Sequence, residues 1–243
     1  VRRFYYSFRR LGAGVDIVPI DADLSQYRVI VLPSWYILTE RDAQRLSEYV
    51  RQGGTLIVNP RTGVKDERNV CRTEPLPSLL REVAGVEIDD YDPLGTDENR
   101  IRLHSGEEFA VSVWADALIL QGAEEVAVYT RSIFAGETAI ACHRFGGGTV
   151  YTLGTYGEPA LYDTLLGRVL DEAGVETMPG VPEGVDACWR EKEGARYLFL
   201  VNLSGEERSV PVPEGVTTLL GASPHGGMVN LSPYEVGIYR TGS

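Results

Sequence analysis

No apolar run in this 243-residue chain approaches the roughly 20 residues that a membrane-spanning helix needs, so no part of it reads as a membrane span. Cysteine is scarce. Cys71, Cys142 and Cys188 stand far apart with no CxxC spacing, which argues against a disulfide framework or a thiolate zinc site and fits incidental thiols in a reducing, cytoplasmic compartment. Histidine is as sparse, and His104, His143 and His225 form no ligand-spaced pair, so neither a metal nor another cofactor is expected. Positive charge is short too: a net charge of −12 argues against a nucleic-acid partner, which needs a basic surface. The nucleophile elbow GxSxG is missing, and no serine has a readable Ser-His-Asp context.

One basic cluster, Arg2, Arg3, Arg9 and Arg10, departs from that balance. Phe4, Phe8 and Leu11 recur among those arginines at helical spacing, so the segment reads as an amphipathic helix with its arginines on the wet side. The chain begins with Val, enters this helix almost at once, and reads as a piece of something longer.

Past this helix, strand-like and helix-like patterns alternate. "VDIVPI" (15–20) reads as a short buried strand, and "YRVIVLPS" (27–34) as a second strand covered on both faces. Residues 40–52 place Ala43, Leu46, Tyr49 and Val50 on one helical face, with Thr39 as N-cap and Glu40 and Asp42 in the first turn. "TLIVN" (55–59) is the next strand. This order predicts a parallel sheet with right-handed crossovers. Gly53 and Gly54 come after the helix and precede the strand. Phosphate-binding glycines have the opposite order, so this pair reads as a helix C-cap.

Beyond residue 70 come a short helix, "PSLLREVAG", an acidic stretch, "EIDDYDPLGTDE" (87–98), and four strand candidates, "EFAVSVWAD", "EEVAVYT", "TAIACHR" and "TVYTLG". "FGGGT" (145–149) reads as a hairpin turn. A helix at about 159–173 carries Leu161, Leu165, Leu166, Val169 and Leu170 as an apolar stripe between Pro159 and Gly174. The Pro- and Gly-rich "ETMPGVPEGV" (176–185) marks a domain boundary, after which six short strands imply a small antiparallel β-sandwich. The predicted domains are 1–177 and 184–243.

Candidate chemistry is thin. Asp66–Glu67 and Asp89–Asp90–Asp92 are adjacent acids on loops, and such acids point apart into water rather than forming the spaced pair that glycoside hydrolysis requires. Trp35 and Tyr36 come directly after a strand, a position that suits a sugar platform or a protein interface; interface is the favoured reading.

Taken in order, several segments resemble one family. "YYSFRRLGAGVDIVPIDADLSQYRVIVLPSWYILTERDAQRLSEYVRQGGTLIVNPRTGVKDE" is similar to the start of the trimerisation domain of glycoside hydrolase family 42 β-galactosidases. "EPLPSLLREVAGVEIDDYDPL" and "IFAGETAIA" match later segments, and "YLFLVNLSGEERSVPVP" resembles the small C-terminal β-domain of those enzymes.

The resemblance implies a flavodoxin-like, class I glutamine amidotransferase-like parallel-sheet domain followed by the small sandwich. Amidotransferases carry a catalytic Cys after the strand corresponding to "TLIVN". This chain has Pro60, Arg61 and Thr62 there, and near "TYGE" (155–158) Glu158 stands without a histidine. The family's catalytic glutamates lie on an N-terminal TIM barrel that is not among these residues, so no catalytic residue is carried over and this piece is expected to be inactive. Its partner is itself, as a homotrimer, and galactoside would be met only through that barrel. Trp35, Tyr36, Arg61, Asp66 and Glu67, on loops combining aromatics with both charge signs, are the candidate interface residues. Two other readings compete: a carbohydrate-binding module using Trp35, Tyr36 or Trp189, and an independent amidotransferase-like hydrolase, which the missing Cys and His weigh against.

Overall fold

A computed structural model of the chain describes residues 1–241, apart from the side chains of Asp89, Thr96, Asp97 and Glu98. In chain order the helices are α1 (Arg2–Arg10), α2 (Glu40–Arg51), α3 (Arg81–Ala84) and α4 (Pro159–Glu172). The first eight strands are β1 (Val29–Leu32), β2 (Thr55–Val58), β3 (Val86–Leu103), β4 (Glu108–Leu120), β5 (Glu124–Tyr129), β6 (Thr138–Phe145), β7 (Gly148–Leu153) and β8 (Thr155–Gly157). The last six are β9 (Val185–Lys192), β10 (Ala195–Asn202), β11 (Arg208–Pro211), β12 (Thr217–Leu220), β13 (Met228–Leu231) and β14 (Val236–Thr241). They divide into two units, Val18–Leu161 and Val1–Ile17 with Tyr162–Ser243.

The first unit is built on an eight-stranded sheet in the order β1-β2-β7-β6-β5-β3-β4-β8. Only β1, β2 and β7 run parallel to one another, and every other pairing is antiparallel. The expected parallel sheet is therefore a mixed one. The cause is connection length: β6 and β7 are joined through Gly146 and Gly147, and a two-residue turn can only reverse the chain. The acidic stretch is not a loop but part of the long strand β3, because β4 supplies a partner along most of its length. "VDIVPI" forms no strand, and Ile17 is 75% exposed rather than buried.

α2 forms as its sequence dictates. Thr39 Oγ1 accepts the Asp42 amide at 3.1 Å, and Ala43, Leu46, Tyr49 and Val50 are buried in a core with Leu56, Val58, Leu80 and Val150. The helix ends in a Schellman motif, with the Gly54 amide donating to the Tyr49 carbonyl and the Gly53 amide to that of Val50. Gly53 takes φ +109°, a conformation L side chains rarely adopt. Gly53→Val is expected to lower stability by about 1 kcal/mol or more through backbone strain alone, since only the Gly147 carbonyl lies near the added Cβ. An unchanged melting temperature would refute this.

In the second unit β12-β14-β10-β9 form one antiparallel sheet and β11-β13 a second. Val185, Ala187, Leu198, Leu200, Val210, Val229, Leu231 and Tyr239 bury between them. α1 joins this unit. Phe4 meets the Tyr162 ring edge-on at 4.8 Å, and the Met178 amide donates to the Leu11 carbonyl. Arg9 and Arg10, read as solvated, are instead paired, with Asp186 at 3.1 Å and with Asp163 at 2.7 Å.

Candidate interaction site

The carboxyl ends of β1 and β2 lie side by side, which brings the loops 33–40 and 59–70 together. The loops then pair with each other. The Gly63 amide donates to the Trp35 carbonyl, that of Lys65 to Tyr36, and that of Leu38 to Lys65, so the ladder continues past the strands. Asn59, buried between them, donates from Nδ2 to the Leu32 carbonyl at 3.1 Å. Ser34 and Arg61, one on each loop, both take positive φ, +59° and +66°.

Arg61 is the centre of what these loops present. Its guanidinium carbon lies 4.7 Å from the Trp114 ring centroid, 5.2 Å from that of Tyr91 and 5.5 Å from that of Tyr36. Nη2 also donates to the Tyr36 hydroxyl at 3.2 Å. Tyr91 and Trp114 stack at 4.9 Å and 17°. Each cation–π contact contributes roughly 0.5–2 kcal/mol, more as water is excluded. Tyr36 and Tyr91 are nonetheless 40% and 50% exposed, a large aromatic surface to leave in water.

Trp114 is aimed by its own strand. The register of β4 slips against both β3 and β8 around Val113, which adopts φ +76° while half exposed. A β-branched residue with positive φ costs about 1–3 kcal/mol, and such a bulge re-directs the side chains beside it. The Thr155 hydroxyl donates to the Trp114 carbonyl at 2.7 Å, fixing the bulge from β8.

Beneath the cluster lies Asp116, fully buried. Its Oδ1 accepts the Trp114 indole N–H at 2.7 Å, and Oδ2 has no partner among the described residues. Burial pushes the Asp116 carboxyl up to about 7, against the opposing pull of the indole hydrogen bond and the Arg61 charge. Tyr129 donates to the carbonyls of Asp116 and Gly154, and burial raises its hydroxyl well above the ordinary tyrosine value.

Among the residues singled out from sequence, Tyr36 and Arg61 come together here. Trp35 is half-buried and packs against the core of α2 and β2. Asp66 is committed to its own turn, its Oδ1 accepting the Arg68 and Val70 amides at 2.9 Å, while Glu67 is exposed. Asp90 likewise accepts the Tyr91 amide, and Asp89 lies outside the described side chains. Trp189 packs against the C-terminal core and carries the Arg196 guanidinium at 4.6 Å. Sequence reasoning missed Tyr91, Trp114 and Asp116. The available signal was an acid inside the apolar run "AVSVWADALIL", where an unpaired charge is out of place.

Among the described residues no group of three or more His, Cys, Asp or Glu could hold a metal ion, and no helix is long and apolar enough to cross a membrane. The turn after β2 offers Pro60, Arg61 and Thr62, and the Thr62 hydroxyl donates to the Asn59 carbonyl. Fold and site together define a mixed α/β domain that presents a half-exposed cluster of aromatic rings around one arginine.

Residues 1–176 match the family described as the β-galactosidase trimerisation domain, and residues 184–241 match the β-galactosidase C-terminal domain; the chain belongs to the trimerisation-domain family. It is 31% identical over 240 residues to the β-galactosidase BgaA of Clostridium cellulovorans, covering 99% of this chain and 36% of that one. It is 31% identical over 244 residues to BglY of Alicyclobacillus acidocaldarius, covering 96% and 36%. The chain thus spans about a third of the length of the curated relatives it matches. Among solved structures, the β-galactosidase from Bacillus circulans sp. alkalophilus superposes with a TM-score of 0.92 at 24% identity, covering 99% of this chain and 37% of that one, a likeness of fold. The β-galactosidase of Halorubrum lacusprofundi does so with 0.87 at 30%, covering 98% and 35%.

Proposed function

We propose that this chain is the assembly region of a retaining β-galactosidase that hydrolyses terminal β-D-galactosides, and that three copies associate through it. The observation that supports this is the succession of the two family matches, in order, over nearly the whole chain. The domain limits proposed are 1–177 and 184–243. The first domain is read as a flavodoxin-like, amidotransferase-like fold whose parallel part is β1–β2–β7, with Arg61 on the turn where an amidotransferase nucleophile would stand. No catalytic, metal or cofactor role is assigned to any residue, and a cytoplasmic site of action is part of the proposal.

The contact surface is assigned to Tyr36, Arg61, Tyr91 and Trp114, with Asp66 and Glu67 at the polar rim. Buried aromatics and arginine inside such a rim are what specific interfaces use. A cyclic trimer needs heterologous contacts, so this patch meets a different patch on the next copy. Sedimentation velocity on the chain at micromolar concentration is expected to show a trimer. Tyr36→Asp should weaken association at least tenfold while leaving the melting temperature within a degree or two. Tyr36 is the better probe than Trp35, whose packing against the core would confuse folding with association. A monomer at every concentration overturns the reading, and galactoside binding by that monomer would favour the carbohydrate-module alternative.

A further inference from the structure

A buried carboxylate with one unpartnered oxygen, set beneath a strained bulge and a surface cluster, is an arrangement that costs stability. Strain and unsatisfied polar groups of this kind concentrate where a protein has something to present. The contacts run without a break from interior to surface. Asp116 Oδ1 holds the Trp114 indole at 2.7 Å, Trp114 stacks on Tyr91 at 4.9 Å, and both rings face the Arg61 guanidinium, which holds the Tyr36 hydroxyl. Moving the indole moves the surface above it.

We infer that Asp116 is a positioning residue for the assembly surface and makes association through it pH-dependent: the carboxylate form holds Trp114, Tyr91 and Arg61 in the contact-ready arrangement, and the protonated form releases them. The inference rests on the assembly reading above and adds its regulation. The ionised carboxylate accepts a charge-assisted hydrogen bond, roughly twice as strong as a neutral one, and provides Arg61 with a counter-charge. Protonation, at the unpartnered Oδ2, reduces that hydrogen bond to a neutral one and removes the counter-charge.

The groups facing Asp116 come from several elements. They are Arg61 from the loop after β2, Tyr91 across the ladder on β3, Tyr129 on β5, and the Gly154 carbonyl and Thr155 at β7 and β8. Tyr156 on β8 bonds Ser34 at 2.6 Å and Lys65 lies 5.6 Å from the Tyr36 ring, both next to the cluster. Among them Asp116 is the group whose shifted titration falls near neutral pH. Association therefore strengthens as pH rises from 6 to 8. By linkage, assembly must in turn make the carboxyl easier to ionise.

The test is sedimentation equilibrium of the chain at pH 6, 7 and 8, for wild type, Asp116→Asn and Trp114→Phe. Wild type should associate about 5- to 10-fold more tightly per contact at pH 8 than at pH 6, within the usual range of coupling. Asp116→Asn is fixed in the neutral form and should associate as wild type does at pH 6, with no slope. Trp114→Phe lacks the indole donor but keeps the Arg61 counter-charge and should flatten the slope. It guards against a folding defect peculiar to the Asn variant. A pH-independent wild-type trimer, or an Asn variant that keeps the wild-type slope, overturns this inference and leaves the assembly reading standing. A wild type that is monomeric at all three pH values overturns both.

Discussion

Asp116→Asn should make the fold more resistant to unfolding at pH 8 than at pH 4, relative to wild type. The folded carboxyl titrates at about 7, against an ordinary value of 3.8, because burial opposes its charge. A carboxyl with a raised folded value stabilises the fold while protonated. That contribution is complete below pH 3.8 and is lost as pH climbs to 7. A shift of about three units corresponds to roughly 4 kcal/mol, which for a chain of this size is a melting shift on the order of 10 °C. Asparagine cannot ionise and should not incur that loss. Asparagine does leave an unpartnered amide donor where wild type leaves an unpartnered oxygen, a cost of about 1–3 kcal/mol present at every pH. The decisive quantity is therefore the change in the variant's advantage between pH 4 and pH 8, measured by denaturant unfolding. An advantage that does not grow with pH would show that Asp116 is ionised without penalty. Fold stability and association should then respond to pH in opposite directions, so a loss of assembly at low pH could not be ascribed to unfolding.

Gly148→Ala should be among the most damaging glycine-to-alanine changes at the described residues. Gly148 opens β7, and its Cβ would overlap the carbonyl oxygens of Val50, in the last turn of α2, and Gly54, just before β2. Both are backbone atoms, and the Gly54 carbonyl is itself the acceptor for the Thr149 amide. No rotamer change relieves the clash, so either α2 lifts from the sheet or β2 parts from β7. A loss of at least about 3 kcal/mol is expected, comparable to removing a large core side chain. A variant within about 1 kcal/mol of wild type in urea unfolding would mean that α2 and β7 approach less closely than this overlap requires.

The parts of the fold that are legible in sequence are those whose cause is local. Thr39, the apolar face of α2 and the glycines after it specify a helix with both ends marked, and the stripe from Leu161 to Leu170 specifies another. The six C-terminal strands announce themselves by alternation and turns. The illegible parts depend on partners distant in sequence. Residues 86–103 carry the Asp, Gly and Pro that strands disfavour, and only pairing with β4 makes them one. The antiparallel half of the sheet is signalled locally only by the hairpin at 145–149, while the β-α-β start specifies parallel pairing. At the site, Tyr36 and Arg61 stand out because they come just after strands. Their partners come from residues 91 and 114, and no local spacing joins those to 61.

The pairing of α1 with late segments has a consequence for biosynthesis. Arg10 and its partner Asp163 are 153 residues apart, and Arg9 waits longer still for Asp186. At roughly 5–20 residues per second, a ribosome takes about 8–30 s to deliver Asp163 after α1 has emerged. Through that interval Phe4 and Phe8 have neither the Tyr162 ring nor the C-terminal strands to cover them. The apolar face of the nascent helix thus lacks these native partners until α4 and the C-terminal strands have emerged. Slowing translation between α1 and α4 would lengthen that exposure and lower soluble yield without altering a single residue.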